Sequence, residues 1–371
     1  MRRTEASIDL AAISGNVERL RAGTGAEVMA VVKADGYGHG LIPSARAALA
    51  GGATWLGTAY AEEALQLRAA GVTAPILSWL AVPGEELATV VAADIDLSAA
   101  APWGLAEIVA AARATGRTAR VHLKVDTGLG RSGATVADWP DLVTAAAKQA
   151  AEGTVEVVGI WSHFAYADVP DHPTIGRQVE VFRRALEVAE GFGVVPRLRH
   201  LANSAATLTL PEAHFDLVRP GIAVYGLSPV PPEQFGLVPA MTLRSHVALA
   251  KRVPAGTGVS YGHEYVTDRE TGLALVPLGY ADGVPRNGTN VAPVWLAGAR
   301  RRVAGRVCMD QFMLDTGDDE VSAGDEVLLF GPGSSGEPTA QEWAEALGTI
   351  SYEIVTRVGA RVPRGYPAND R

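Results

Sequence analysis

The chain has a single cysteine, Cys308, in 371 residues, so no internal disulfide can brace it and its fold must rest on a packed core. Lysine is nearly as scarce. Only Lys33, Lys124, Lys148 and Lys251 occur, because arginine carries almost all the positive charge, and a lysine in an apolar setting is therefore conspicuous. There is no basic excess either: a formal net charge of -9 argues against a general polyanion binder and sets nucleic acid aside as a partner. No stretch approaches the roughly 20 apolar residues that span a bilayer. Met1 to Val17 carries Arg2, Arg3, Glu5 and Asp9 where a secretory signal needs an apolar run. The expectation is a cytoplasmic protein with no membrane partner. Heptads, repeats of roughly 20 to 50 residues and low-complexity tracts are also missing, which excludes coiled coils and solenoids.

What the chain does contain is a globular balance of 48% hydrophobic and 20% charged residues, enough to build a sizeable core. At about 100 to 200 residues per domain, its length predicts two domains, with room for a third. Short apolar runs recur at Val28 to Val32, Thr54 to Ala59, Pro75 to Trp79, Ile95 to Ser98, Arg120 to Val125, Val155 to Trp161, Leu198 to Ala202 and Leu217 to Tyr225. Between them lie segments with helical spacing, including Ala61 to Ala70, Leu105 to Ala114, Asp141 to Ala151 and Gln178 to Glu190. Eight strands alternating with helices predict an α/β fold whose N-terminal part is a (β/α)8 TIM-type barrel. After Pro229-Val230-Pro231-Pro232 the pattern changes. Strand-like stretches at Leu243 to Val253, Leu273 to Leu278, Val294 to Leu296, Arg302 to Val307 and Glu326 to Phe330, with one helix near Gln341 to Leu347, predict a C-terminal mainly-β domain. The expected division is 1–232 and 233–371.

In such a barrel, catalytic groups gather at the carboxyl ends of the strands. Strand one ends in Lys33, strand five runs into Lys124 and the loop carrying Arg131, and strand six runs into His163. Strand seven leads to His200, Asn203 and Ser204, and strand eight to Arg219, Gly221 and Ile222. An amine desolvated at the end of an apolar strand loses its charged form, and a neutral amine can form a Schiff base with a carbonyl cofactor. A lysine that snorkels its head to the barrel rim is the competing reading. Gly36, Gly38 and Gly40 allow close backbone approach to a ligand. Ser204 with Gly221 and Ile222 falls where these barrels often bind phosphate. A lysine and a phosphate cradle in one mouth point to pyridoxal 5'-phosphate as cofactor.

The segment Val32-Lys33-Ala34-Asp35-Gly36-Tyr37-Gly38-His39-Gly40 resembles the cofactor-lysine motif of the alanine racemases. The resemblance runs through Asp126-Thr127-Gly128-Leu129-Gly130-Arg131, His163-Phe164-Ala165, Asn203-Ser204 and Arg219-Pro220-Gly221-Ile222. It continues in Val259-Ser260-Tyr261-Gly262, Gly279-Tyr280-Ala281-Asp282-Gly283, Cys308-Met309-Asp310-Gln311 and Ser351-Tyr352-Glu353. It implies a barrel followed by a β domain and a pyridoxal-phosphate enzyme interconverting L- and D-alanine by two bases, supplying D-alanine for peptidoglycan. Lys33 would serve the D face and Tyr261 the L face, with His163, Arg219 and His200 in a hydrogen-bonded chain lowering the cost of a phenolate. Arg219, always charged, would disfavour a proton on the pyridine nitrogen and so suppress transamination. Tyr37, Ser204, Gly221, Ile222 and Tyr352 would bind phosphate, while Arg131 and the Met309 backbone would meet the substrate carboxylate. Tyr280 and Asp310 would flank a narrow entrance, and Lys124 matches a lysine carbamylated in several relatives. The resemblance also implies a homodimer with shared active sites, since Lys33 and Tyr261 fall in different domains.

Several bland readings stand beside these roles. Tyr261 can be a packed strand aromatic, and Arg219 can pair with Asp216 as structure. At the level of the whole protein, a racemase of another small amino acid such as serine keeps every residue named. A non-catalytic pyridoxal-phosphate carrier has no use for Tyr261 and Met309. A metal-dependent hydrolase built on His39, His163 and His200 lacks the usual acidic or cysteine partners, so no metal is expected.

Overall fold

The computed structural model describes residues 2–367. Its first strand, β1 (Thr4–Ile8), precedes eight barrel strands: β2 (Glu27–Val31), β3 (Trp55–Thr58), β4 (Ile76–Ser78), β5 (Asp96–Ala99), β6 (Ala119–Lys124), β7 (Val155–Trp161), β8 (Leu198–His200) and β9 (Leu217–Val218). All neighbours in the order β8-β7-β6-β5-β4-β3-β2-β9 are parallel. The remaining seam, between β8 and β9, is bridged by the Asp216 N–H donating to the Arg199 carbonyl at 3.0 Å and the Arg219 N–H to the Ala202 carbonyl at 2.9 Å. Helices connect the strands, as parallel neighbours require. Two of them, Pro102–Thr115 and Pro173–Gly191, start with proline in the first turn, where its missing N–H costs nothing.

Two apolar cores result. The larger lies between the barrel wall, its helices and the second unit. The smaller fills the barrel itself, where Met29, Trp55, Leu77, Val158, Leu198 and Leu217 meet. On β6 the period of two puts Arg120, His122 and Lys124 on one face.

The second unit comprises β10 (Met241–His246), β11 (Leu249–Val253), β12 (Gly258–Val259), β13 (Tyr265–Val266), β14 (Thr271–Val276), β15 (Pro293–Leu296), β16 (Ala299–Arg302), β17 (Phe312–Gly317), β18 (Glu326–Phe330) and β19 (Arg364–Gly365). They form a six-stranded sheet in the order β16-β15-β18-β10-β1-β19, a three-stranded sheet β11-β14-β17 and the hairpin β12-β13. The helices Ala340–Leu347 and Ser351–Thr356 follow β18. No described helix is long and apolar enough to cross a membrane.

Three expectations about strands are corrected. Leu217 to Tyr225 is extended only at Leu217–Val218, because Pro220-Gly221 turns the chain into a 3₁₀ turn at Ile222–Tyr225. Leu243 to Val253 is two strands rather than one: the Val247 N–H goes to Asp325 in one sheet, whereas the next N–H, of Ala248, goes to Leu275 in the other. The strand placed at Arg302 to Val307 ends at Arg302, beyond which only Val303 keeps a bridge, to Leu314. Five strands were missed: β1, β12, β13, β17 and β19. Thr4–Ile8 sits between β10 and β19, paired antiparallel with the first and parallel with the second, although the chain then leaves to build the barrel.

The Ala6 N–H donates to the Pro363 carbonyl at 3.0 Å and Ala6 is fully buried. Ala6→Pro should therefore lower the unfolding free energy by about 1–3 kcal/mol, through overpacking at a fully buried site and the lost sheet hydrogen bond, read as a lower urea midpoint. An unchanged midpoint would show that this strand does not brace the sheet.

Candidate active site

Lys33 closes β2, and the chain that follows bends the wrong way round. Ala34, Asp35, Gly36, Tyr37 and Gly38 all take positive φ, at 54°, 53°, 60°, 52° and 80°. A left-handed turn costs roughly 1–2 kcal/mol per non-glycine residue, so three of these residues store strain that their surroundings must offset. The Ala34 N–H donates to Glu63 Oε1 at 2.6 Å, the Leu41 N–H to Asp35 Oδ1 at 2.8 Å, and His39 Nδ1 lies 2.9 Å from the Tyr37 carbonyl. The turn lays Tyr37 on Tyr225 with ring centroids 4.9 Å apart and brings it within 6.3 Å of Tyr352. Gly38 passes so close to Val355 that a Cβ there would strike the backbone of the helix carrying Tyr352. The turn thus couples the position of Lys33 to the phenol groups opposite it.

A cavity of ≈ 640 Å³ opens at the carboxyl ends of the strands, and its lining includes Lys33, Lys124, Arg131, His163 and Arg219. Burial, with Arg131 adding repulsion, lowers the Lys33 amine from its usual value. The same causes, burial first and then Arg219 and Arg131, bring Lys124 down to about 7. Its Nζ stands 4.1 Å from the centroid of the Trp161 ring. Arg219 is buried without a carboxylate partner among the described residues. It donates to the Ser162 carbonyl at 2.7 Å and stands 3.3 Å from the Nδ1 atoms of both His163 and His200. The acid that sequence offered it, Asp216, is taken by Arg199 at 2.6 Å. Burial and Arg219 push both histidines well below the ordinary imidazole range, so they are neutral hydrogen-bond acceptors.

The loops that present these groups are tied. Asp126 Oδ1 accepts from the N–H groups of Gly128, Leu129 and Gly130, which fixes the path into Arg131. Gln178 donates to Thr127 Oγ1 and to the His163 carbonyl, both at 3.1 Å, so the loops after β6 and β7 move together.

The same cavity is also lined by Tyr37, Ser204, Gly221, Ile222 and Tyr352. Ser204 Oγ accepts from the Gly221 N–H at 2.7 Å and the Ala223 N–H at 3.3 Å, which joins the start of the helix Ser204–Thr209 to the turn after β9. A Cβ at 221 would collide with the Tyr37 hydroxyl, so the glycine leaves room for that donor. Burial raises Tyr37 and Tyr352 well above the usual phenol value, and both stay protonated and able to donate. Two phenols and the Ser204 hydroxyl, in a wall that Gly221 keeps open, suit a phosphate, and Lys33 lines the same space. The residues fit a group that carries both a phosphate and an aldehyde.

Tyr261, Tyr280, Met309 and Asp310 are not on this lining. They form a second cluster in the second unit, where Tyr261 is 70% exposed, Met309 53% and Tyr280 43%. The Tyr280 N–H donates to the Cys308 carbonyl and the Ala281 N–H to the Met309 carbonyl, both at 3.0 Å, while Ser260 Oγ donates to the Arg306 carbonyl at 2.7 Å. Asp310 is held by Arg361 at 2.8 Å. The three histidines considered for a metal do not meet: His39 packs on Tyr225, while Arg219 stands between His163 and His200. Trp79, Leu80, Ser132, Trp161 and Thr356 also line the cavity, and sequence reasoning passed over them; Trp161, directly before Ser162-His163 at a strand end, was the legible one. Two further residues were missed beneath it. His122 Nδ1 lies 2.8 Å from His200 Nε2, and His122 Nε2 lies 3.1 Å from Asp96 Oδ2.

The chain matches two family models, alanine racemase N-terminal domain over residues 8–229 and alanine racemase C-terminal domain over residues 240–366. It is 68% identical to the alanine racemase of Frankia casuarinae, over 98% of this chain and 96% of that protein. Among solved structures, the alanine racemase of D-cycloserine-producing Streptomyces lavendulae superposes with a TM-score of 0.98 at 58% identity, covering 100% of this chain and 98% of that one. The Bacillus anthracis alanine racemase with bound L-Ala-P gives 0.92 at 37% identity, covering 100% and 96%.

Gly221→Ala tests the cradle without adding charge. Displacing the Tyr37 hydroxyl carries an overpacking cost of about 1–3 kcal/mol, so affinity for inorganic phosphate should fall roughly 10- to 100-fold by calorimetric titration. Unaltered phosphate affinity in a folded variant would remove this wall from the anion site.

Proposed function

The chain belongs to the alanine racemase family and interconverts L- and D-alanine, and from that premise we propose which of its residues do the work. The observation that carries the assignment is one cavity with a desolvated lysine on one wall and a phosphate cradle on another. Pyridoxal phosphate, when bound, supplies an electron sink that acidifies the α-hydrogen of an amino acid. Lys33 would carry the cofactor. Tyr37, Ser204, Gly221, Ile222 and Tyr352 would hold its phosphate, and Arg219 would face its ring nitrogen, with His163 and His200 steadying the guanidinium. Arg131 and the Met309 N–H would orient the substrate carboxylate.

Inversion needs a base on each face of the α-carbon. Lys33 Nζ would take or return the proton of the D-enantiomer, and its lowered affinity for protons suits an amine that must be neutral part of the time. Tyr261 Oη would serve the L-enantiomer. Because Tyr261, Met309, Tyr280 and Asp310 are exposed on the second unit, away from the barrel cavity, we propose that they complete the site of a second copy, giving a homodimer with two shared sites. Tyr280 and Asp310 would then narrow the entrance to a small side chain. We place the units at 1–232 and 233–371, with β1 crossing into the sheet of the latter, and the enzyme in the cytoplasm, providing D-alanine for peptidoglycan.

Circular dichroism of L-alanine and of D-alanine, each incubated with protein and pyridoxal phosphate, tests the reading. Both signals should decay to zero, faster than that of L-serine. Faster decay of serine would shift the substrate, and a bound cofactor with no decay would favour a carrier. Mixing Lys33→Ala with Tyr261→Phe subunits should restore about a quarter of the sites, the fraction that random two-fold pairing gives. No recovery after verified exchange would end the shared-site proposal.

Lys124, held at about 7, is the amine placed to add carbon dioxide. The carbamate would give the neighbouring Arg131 an anionic partner. Only the neutral amine reacts, so at fixed carbon dioxide pressure the modified fraction should rise as pH climbs through about 7, seen as a reversible mass gain on the Lys124 peptide. A peptide unmodified at every pH would exclude it.

A further inference from the structure

Beneath the cavity floor, four buried polar groups run in single file across the barrel interior. Asp96 on β5 meets His122 on β6 at 3.1 Å, His122 meets His200 on β8 at 2.8 Å, and His200 meets Arg219 beyond β9 at 3.3 Å. Asp96, His122 and His200 are 1% exposed or less, and Arg219 is 4% exposed. Arg120 also pairs with Asp96, at 2.9 Å.

The chemistry of the two ends decides where every proton lies. A guanidinium only donates, so His200 Nδ1 must present a lone pair to Arg219. His200, neutral through burial and Arg219, then carries its proton on Nε2 and donates to His122 Nδ1. His122 Nδ1 is thereby an acceptor, so its proton sits on Nε2 and is donated to Asp96, which as a carboxylate only accepts. One arrangement satisfies the whole file. A second proton on either ring, or the other tautomer of either, would set two donors against each other in the dry interior.

The surrounding backbone is shaped for this link. The register of β6 against β7 shifts between Val121 and His122, which places His122 opposite Gly159. Any Cβ at 159 would run into the His122 ring, so the missing side chain is what lets His122 reach His200. Tryptophans clamp both rings: Trp55 meets His122 edge-on at 5.6 Å, and Trp161 stacks on His200 at 5.7 Å and 5°.

We propose that Asp96 and His122 are positioning residues for racemisation: through hydrogen bonds they fix the tautomer of His200, so that its Nδ1 always offers Arg219 an acceptor and holds the guanidinium in place at the cavity floor. The inference rests on the reading above in which Arg219 faces the cofactor. Its structural half stands independently, because the proton order follows from this chain alone.

The apoenzyme with ¹⁵N-labelled histidine gives the first test, since nitrogen chemical shifts distinguish the two tautomers. His200 should be unprotonated at Nδ1, and a proton there would overturn the proposal. Three variants then separate positioning from packing. His122→Phe fills the space but breaks the file, Gly159→Ala pushes the ring off line without replacing a polar residue, and His122→Gln can still accept from His200 and donate to Asp96. The first two should let the His200 tautomers mix and lower kcat about 10- to 100-fold with KM little changed. The glutamine variant should keep the single tautomer and lie within about three-fold of the parent, an effect on the scale of one conserved hydrogen bond. A uniform loss in all three would indicate packing and overturn the role. If the tautomers mix while kcat holds, the positioning role falls, and Arg219→Lys tells which premise failed. A normal rate in that variant removes Arg219 from the chemistry, whereas a crippled one leaves Arg219 in place and discards only its link to Asp96.

Discussion

Four cations, Lys33, Lys124, Arg131 and Arg219, face one cavity, and the rest of the site follows from their crowding. Lys33 feels Arg131, while Lys124 feels Arg219, Arg131 and Lys33, and only Glu63 and Asp126 push the other way. Removing these amines from water already disfavours their charged forms. The protein could have relieved the repulsion with acids, as Asp216 relieves Arg199 on the surface. It leaves the repulsion in place instead. Such a cavity favours anions and holds amines whose charged forms are disfavoured, with Lys124 down to about 7, the two properties that the proposed phosphate-bearing carbonyl cofactor and amino-acid carboxylate require.

Holding those cations at the required angles takes strain elsewhere. The left-handed turn after Lys33 is stable only because Glu63, Asp35 and the histidine at 39 take up its polar groups, and because Gly38 lets it touch the helix that carries Tyr352. A right-handed turn would continue β2 into an ordinary helix and carry Tyr37 away from Tyr225 and Tyr352. The strain therefore joins Lys33 to Tyr37 and Tyr352, consistent with the tendency of unfavourable backbone to collect at functional sites.

The barrel and the strand-end residues were legible because they are local. Apolar runs of a few residues, punctuated by helices, report a parallel sheet, and a polar residue closing such a run marks the mouth. What sequence hid was pairing over long separations. Thr4–Ile8 belongs to a sheet whose neighbours are more than two hundred residues away, and nothing local marks the strand as theirs. Leu243 to Val253 reads as one strand because neither proline nor glycine marks the point where consecutive N–H groups turn to different sheets. Asp96 and His122 were invisible for a related reason: each looks like an ordinary strand polar residue until the barrel closes and β8 brings His200 beside them. The alternation of Arg120, His122 and Lys124 along β6 was the available clue, since it sends three consecutive polar side chains inward. The split of Tyr261 and Met309 from Lys33 was legible only through family resemblance.

The proposed two-base inversion sets a demand on the second unit. Bases on opposite faces of a carbon must stand on opposite sides of the bound substrate, and Tyr261 is not among the residues that line the cavity with Lys33. A base delivered from a second copy, as proposed, must arrive without play, because misplacement of about 1 Å can cost roughly a hundred-fold in rate. The segment around Tyr261 is built accordingly. Ser260 and His263, neither of them glycine, adopt φ of 63° and 48° on either side of Tyr261-Gly262, where Gly262 is at 73°. Ser260 is anchored to the Arg306 carbonyl and stands 3.3 Å from the Cys308 sulfur, in the loop bearing Met309. Tyr261 is thus exposed yet mounted on a bonded frame. That combination makes little sense for a surface residue in a monomer and good sense for a base delivered to a neighbouring cavity.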